Sequence, residues 1–380
     1  MLPLVTSLVA GGDRVVVAAA ESAARVVDGS AEFAAVGHEE EAWFSTLVRR
    51  TRGAPGDGLA PERIHHYFFP RVFGEIGADD MIDDLLAFGK DFDPDVIIFE
   101  TCAFAGPLLG DLLEVPTVHH YFGPLIDPEV LDLVDDAVSP LWRSFGRSSP
   151  GYAGVYRDLT IEICPASLET YAMPTGERMS LRPAPPPTEF SSVTGRPLVY
   201  ATLGTQFNRA TNIFRDILAG LSDEPLDVVV TVGQDQDPSV LAPIPRNARV
   251  ERYIAQATLL PKCSAVVHHG GAGTTFGCLT QGVAQVVIPQ GADNFINAAM
   301  VKRAGAGVTL LPDNVNPVAI RDAVTSVIRE SRFAEAARTI ADEIASMPGP
   351  DDVARQLRKW IDDRSDDAER KGRHSSLGDR

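Results

Sequence analysis

The chain has 380 residues, too many for one ordinary core, so its length predicts two domains of about 150 to 200 residues. A formal net charge of −18 argues against nucleic acid and anionic membrane as partners, since both require local cationic surface, and leaves any anionic ligand to be captured by local dipoles. Four cysteines, at 102, 164, 263 and 278, show neither a CxxC spacing nor a metal-ligand pattern and read as reduced thiols of a cytosolic protein; no apolar run reaches membrane-spanning length, and residues 1–4 do not read as a signal peptide.

In chain order, Leu4, Val5, Leu8 and Val9 fall at helical spacing, Gly11-Gly12 stops that helix, and Val15–Ala18 reads as a buried strand. An α/β chain that opens on a helix lacks the strand that should come first, and in a doubly wound sheet that strand is central. Losing its roughly six buried side chains, worth about 1.5–3 kcal/mol each, would rival the whole ~5–15 kcal/mol of domain stability, so the expectation is a misassigned start with the strand encoded upstream of Met1. Residues 30–92 yield no clear elements, only an aromatic-rich region with Trp43, Phe44, His65, His66, Tyr67, Phe68 and Phe69.

Val96–Phe99 reads as a strand with Glu100 at its carboxyl end, where α/β proteins place catalytic groups, although Glu100 could equally cap a helix starting near Ala103. Val115–Val118 is a further strand ending in His119-His120-Tyr121-Phe122, and a histidine in such a place commonly just satisfies local hydrogen bonds. Residues 127–150 look helical and amphipathic, Ile161–Pro165 is the last strand of the first domain, and the polar, proline-rich stretch 174–195 reads as a linker without regular structure. Leu198–Ala201 opens the second domain, Val228–Val232 is its next strand, and Arg249-Val250 leads into Tyr253-Ile254-Ala255-Gln256.

Ser264–Asn297 organises the chain. Ala265–Val267 is a strand, His268-His269-Gly270-Gly271-Ala272-Gly273-Thr274-Thr275 a glycine-rich turn, and a helix follows to Gln281 with Gly282 as its stop; Val286–Ile288 is the next strand, turning through Pro289–Asn294 into another helix. Glycines between strand and helix let backbone approach a ligand, and the helix start aims unpaired N–H groups and a positive dipole end at it, a geometry suited to phosphate or diphosphate. His269 and Thr274 add donors, and Asp293-Asn294 at the next strand's carboxyl end offers partners for sugar hydroxyls. A tight βα turn with two incidental histidines is the plainer reading. A strand over Val308–Leu311, helices at 317–329 and 332–346, and a last helix with Val353, Leu357, Trp360 and Ile361 on one face complete the chain.

His268–Thr275, Gly282, Pro289, Asp293-Asn294 and Asn297-Ala298 resemble the nucleotide-sugar signature of two-domain GT-B glycosyltransferases, above all the bacterial enzymes that glycosylate antibiotics and other natural products, such as the calicheamicin and macrolide glycosyltransferases. The resemblance extends loosely over residues 2–361. It implies an α/β chain of two Rossmann-like domains facing across a cleft: an acceptor domain over 1–175 lacking its first strand, a linker over 176–196, a nucleotide-sugar domain over 197–348, a helix over 349–361 crossing back to the first domain, and a disordered tail over 362–380. It implies donor contacts from Thr205, Tyr253, Ile254, Gln256, His269, Gly270, Gly271, Ala272, Gly273, Thr274, Asp293 and Asn294, the last a Gln in most relatives, and an acceptor pocket lined by Trp43, Phe69, Tyr121 and Phe122. The family's catalytic histidine would fall immediately before Met1, which leaves Glu100, at the place of the carboxylate that orients it, with His119 and His120 as catalytic candidates. The implied reaction is an inverting, metal-independent transfer of a sugar, from a dTDP-deoxysugar first and a UDP-hexose second, to a hydroxyl of a hydrophobic aglycone. The enzyme would need no cofactor beyond this donor substrate and would be a monomer or homodimer. Asp93-Pro-Asp95 and Asp235-Gln-Asp237 fit the loose acidic pattern of metal-dependent transferases but sit in ordinary turns, so no metal site is expected. The alternatives are a non-catalytic nucleotide-sugar-binding pseudoenzyme or partner subunit, and a nucleotide-sugar epimerase of the same architecture.

Overall fold

The computed structural model describes residues 1–27, 29–51, 58–59, 61–171, 176–183, 195–204 and 210–375. They form two compact units, one of Met1–Ile163, Thr170–Leu181 and Pro348–Arg380, the other of Cys164–Glu169 and Arg182–Met347.

The first unit carries β1 (Val16–Ala19), β2 (Glu32–Ala35), β3 (Ile97–Glu100), β4 (Thr117–His120), β5 (Leu159–Glu162) and β6 (Glu177–Ser180). All pairings are parallel, but they make two sheets, β1-β2 and β3-β4-β5-β6, with no strand joining β1 to β3 among the described residues. β4 and β5 are buried at every position, as expected of parallel strands covered on both faces. The helix Pro128–Ser144 starts on Asp127, whose carboxylate accepts the Glu129 N–H, and its periodic Val130, Leu131, Val134, Val138 and Trp142 pack with Phe99, Phe104 and Leu108 into the core.

Three readings of this unit need correction. Glu177–Ser180, assigned to the linker, is a strand pairing β5, where Arg178 donates to the Glu162 carboxylate at 2.6 and 3.0 Å. The unread 30–92 region is largely helical, over Glu40–Thr51, Pro61–Phe69 and Ala78–Phe92; a π-helical stretch, Pro70–Gly77, links the last two, and the proline that cannot donate at its start masks the periodicity. The final helix runs over Pro350–Ser375, beyond its expected end and through most of the tail taken as disordered, because Asp, Glu, Arg and Lys are tolerant helix residues and no proline interrupts them. This helix packs on Leu2–Ala10, burying Val353, Leu357 and Trp360 beside Leu4, Val5 and Leu8; the Arg358 guanidinium reaches Asp13 at 2.9 Å and the Trp360 indole donates to Glu177 at 2.9 Å.

The second unit carries β7 (Leu198–Thr202), β8 (Asp227–Thr231), β9 (Ala248–Glu251), β10 (Ala265–His268), β11 (Gln285–Val287) and β12 (Gly307–Thr309). The sheet is fully parallel, in the order β12-β11-β10-β7-β8-β9. Successive strands move one way from β7 and the other way from β10, so the loops after these neighbours diverge and open a crevice at their carboxyl ends. No helix among the described residues is long and apolar enough to cross a membrane.

Candidate functional site

β10 ends on His268, which is fully buried. Its Nδ1 accepts the Gly270 N–H at 3.1 Å, so the proton sits on Nε2 and is donated to Gln285 Oε1 at 2.8 Å. Burial, with neighbouring His269 second, holds its pKa down at about 3, so the ring is neutral at pH 7. Gly270 is at φ +93°, and a Cβ there would lie 2.8 Å from the Asn294 carbonyl oxygen. On the other side, Asn297 Nδ2 donates to Gly270 O and to Asp293 Oδ2, each at 2.8 Å. The N–H of Gly270, a residue expected among the donor contacts, is thus spent on His268, and Gly270 shapes the turn.

His269 is 8% exposed, with its ring wedged between two loops. A Cβ on Gly204, after β7, would meet His269 Cε1 at 2.5 Å, and one on Gly271 would meet Nε2 at 2.4 Å. Burial lowers its pKa to about 4, so at pH 7 it presents a single N–H. The helix Ala272–Thr280 has Gly271 as its N-cap and no side-chain cap, leaving the N–H groups of Ala272, Gly273 and Thr274 for a ligand; above Gly273 the space is open. Gln256 donates to Thr274 Oγ1 at 3.0 Å, so the threonine's own proton points away from it. Gln256, expected at the ribose or base edge, therefore orients Thr274. Tyr253 is 61% exposed on the loop after β9, its ring face accessible, while Ile254 packs toward the Tyr200 and Val266 cluster. Thr205 lies outside the described residues.

In the carboxylate loop, Ala292 adopts φ +50°, unusual for a residue with a side chain. Burial raises the Asp293 pKa, opposed by hydrogen bonds from Asn297, its own backbone and Asn294. Asn294 is 2% exposed; its Oδ1 accepts the Gln290 and Gly291 N–H groups, both at 3.3 Å. Its short arm folds back onto its own loop, with Nδ2 donating to Asp293 Oδ1 at 3.3 Å.

In the first unit, Glu100 is half-buried at the end of β3, and Oε2 accepts the Cys102 N–H at 2.9 Å. Burial pushes its pKa up to about 7, against the Cys102 bond; Glu40 adds to the rise and the Met1 ammonium opposes it. His119 and His120 do not face solvent: both lie within the interior strand β4, with pKa values held at about 3 by burial. His119 stacks on Phe99 at 4.9 Å and meets Tyr121 at 4.2 Å. Of the acceptor-lining set, Tyr121 is 1% exposed with its hydroxyl 3.0 Å from that of Tyr156, and Phe69 packs edge-on against Phe104; both are core residues. The Trp43 indole donates to Asp80 at 2.9 Å and its ring meets Phe73 edge-on, so it too is structural, and only Phe122 stands exposed. Asp237 caps a short turn by accepting the Ser239 N–H, and no group of three or more His, Cys, Asp or Glu able to hold a metal stands among the described residues.

Sequence reasoning missed Gly204 and Gln285 as parts of the site, and read Asn297 only as a member of the signature, with no role. A polar Gln beside the apolar Val286-Val287 was the available signal for the second.

Residues 215–360 match the family model described as the erythromycin biosynthesis protein CIII-like C-terminal domain. The chain is 34% identical over 279 residues to elloramycin glycosyltransferase ElmGT of Streptomyces olivaceus, covering 70% of this chain and 68% of that one. Among solved structures, spinosyn rhamnosyltransferase SpnG superposes with a TM-score of 0.77 at 25% identity, over 94% of this chain and 95% of that one. Glycosyltransferase SsfS6 of Streptomyces sp. SF2575, solved with thymidine diphosphate, gives a TM-score of 0.74 at 25% identity, over 94% of this chain and 95% of that one. With its two parallel-stranded α/β units and the glycine turn at the switch point of the second, the chain belongs to the GT-B glycosyltransferases of natural-product biosynthesis.

Proposed function

We propose that the enzyme moves a sugar from a nucleoside diphosphate, dTDP before UDP, to a hydroxyl of a hydrophobic aglycone, with inversion and without a metal. The observation that carries this reading is the uncapped start of the helix Ala272–Thr280 beside the neutral His269 wedged between Gly204 and Gly271. As the acceptor oxygen bonds to the anomeric carbon from the face opposite the diphosphate, the bond from that carbon to the leaving oxygen breaks. The charge gathering on the diphosphate is met by the N–H groups of Ala272 to Thr274 and by the His269 N–H, preorganised dipoles in the place of a cation. Asp293 accepts from sugar hydroxyls. Glu100, with a pKa of about 7, is the group suited to take the acceptor proton near neutral pH. A dTDP donor is favoured by the thymidine diphosphate bound to SsfS6. The four cysteines, none of them in a disulfide, suit a cytosolic setting.

The test is incubation with dTDP- and UDP-sugars, with and without a hydroxylated apolar acceptor, in EDTA, following free nucleotide and the anomeric configuration of the product. Acceptor-dependent release with inversion is expected. Nucleotide release independent of acceptor, a retained anomeric configuration, or complete loss of turnover in EDTA would each overturn its part of the reading.

A further inference from the structure

Asn297 is fully buried one helical turn beyond Asp293, on the helix Asn294–Arg303. Its Nδ2 spends one proton on the Gly270 carbonyl and one on the Asp293 carboxylate, both at 2.8 Å. Since both partners are acceptors, the orientation of the amide is fixed. Gly270 is in turn held by His268, which is held by Gln285, so a chain of buried polar contacts runs from the middle of the sheet through the diphosphate turn to the carboxylate loop.

The other half of the same amide shows why an asparagine stands there. Asn297 Oδ1 is buried and has no hydrogen-bond partner among the described residues. An unsatisfied buried carbonyl is a standing cost, carried here by an amide whose other end pairs the Gly270 carbonyl and the Asp293 carboxylate, two acceptors that an apolar residue would deprive of this donor. What asparagine provides here is two donors aimed at two loops.

We propose that Asn297 is a positioning residue that fixes the Asp293 carboxylate relative to the diphosphate turn, so that nucleotide and sugar are held in one frame. The inference rests on the donor reading above and adds a residue that touches neither part of the donor. Asn297 acts on the sugar end through Asp293 and meets the turn only at the Gly270 carbonyl, while the N–H groups that meet the diphosphate belong to the helix Ala272–Thr280.

The experiment is a double-mutant cycle of Asn297→Ala and Asp293→Ala in the full chain, with two readouts: calorimetric affinity for dTDP and UDP, and kcat and KM for the matching nucleotide sugar. Asn297→Ala is expected to leave nucleoside diphosphate affinity within about threefold, to lower kcat/KM for the sugar donor by tenfold or more, and to add nothing in the Asp293→Ala background. Additive losses, or a fall in diphosphate affinity parallel to that in turnover, would overturn the proposal. If Asn297→Ala does not fold, Asn297→Ser, whose hydroxyl can serve only one of the two acceptors, carries the same comparison. Failure of the unaltered protein to bind either diphosphate would instead remove the donor reading itself.

Discussion

Gly271→Ala tests how the site is built. Gly271 sits at φ −61° and ψ 142°, a conformation open to any residue, so its backbone does not demand glycine. What demands it is the His269 ring, whose Nε2 would lie 2.4 Å from the new methyl group. The ring must swing aside or the turn must open, an overpacking cost of about 1–3 kcal/mol. At roughly 2–4 °C per kcal/mol for a domain of this size, the melting temperature should fall by about 2–12 °C. The displaced imidazole would also lose the bond to the diphosphate proposed for it, worth about 1.5–3 kcal/mol, or roughly 10- to 150-fold in affinity. In a His269→Ala background the obstacle is gone, so adding Gly271→Ala should change neither melting temperature nor diphosphate affinity. Gly204→Ala should be rescued only in part, because at φ +71° it keeps a backbone cost of about 1 kcal/mol whatever the neighbour. Calorimetric titration with dTDP and thermal melts of the four combinations settle the matter. If the Gly271 and His269 effects simply add, the wedge explanation is wrong.

Other expected outcomes follow from the same geometry. Glu100→Gln should lower kcat by about 100-fold or more, and in the unaltered enzyme kcat/KM should rise with pH through about 7, because only the ionised carboxylate can take a proton; a flat profile would remove Glu100 as the base. Thr274→Val should weaken dTDP binding by about 2- to 13-fold, the worth of one neutral hydrogen bond, and unchanged affinity would place its hydroxyl outside the site. His119, His120 and His268, with pKa values of about 3, and His269, at about 4, are buried neutral. The unfolded chain takes up these protons below its ordinary value near 6.5 while the folded one does not, so stability is full above that pH and is lost as pH falls through 6.5 toward 3 to 4. Each histidine contributes up to about 1.4 kcal/mol per pH unit, and a melting temperature equal at pH 7.5 and 5 would contradict their burial.

The second unit was legible because its strands are short apolar runs cut by glycine turns: Ala265–Val267, the turn after it and the stop at Gly282 read directly, and Gly282 does take the left-handed conformation, at φ +64°. What could not be read was which way polar side chains turn. Asn294 and Gln256 have the right chemistry for a ligand, yet both bond to their own framework, a choice set by loop geometry that spacing does not encode. The first unit was harder. Its 61–92 helical run hides behind Pro70 and a π-helical stretch that breaks the 3.6-residue pattern, and the edge strand Glu177–Ser180 is polar enough to pass for linker. Aromatic content misled for a related reason: Phe69 and Tyr121 are as suitable for a core as for an aglycone pocket, and the core took them.

The division of the first unit into two sheets bears on how the protein must be handled. Among the described residues its sheets end on four strands, β1, β2, β3 and β6, against two, β12 and β9, in the other unit. A terminal strand can template pairing between molecules, and the half-buried Val16-Val17 and Ile97-Ile98 runs are apolar and free of charge. Concentrated solutions are therefore expected to cluster through this half of the chain, and a lysine placed on β1 should keep them clear.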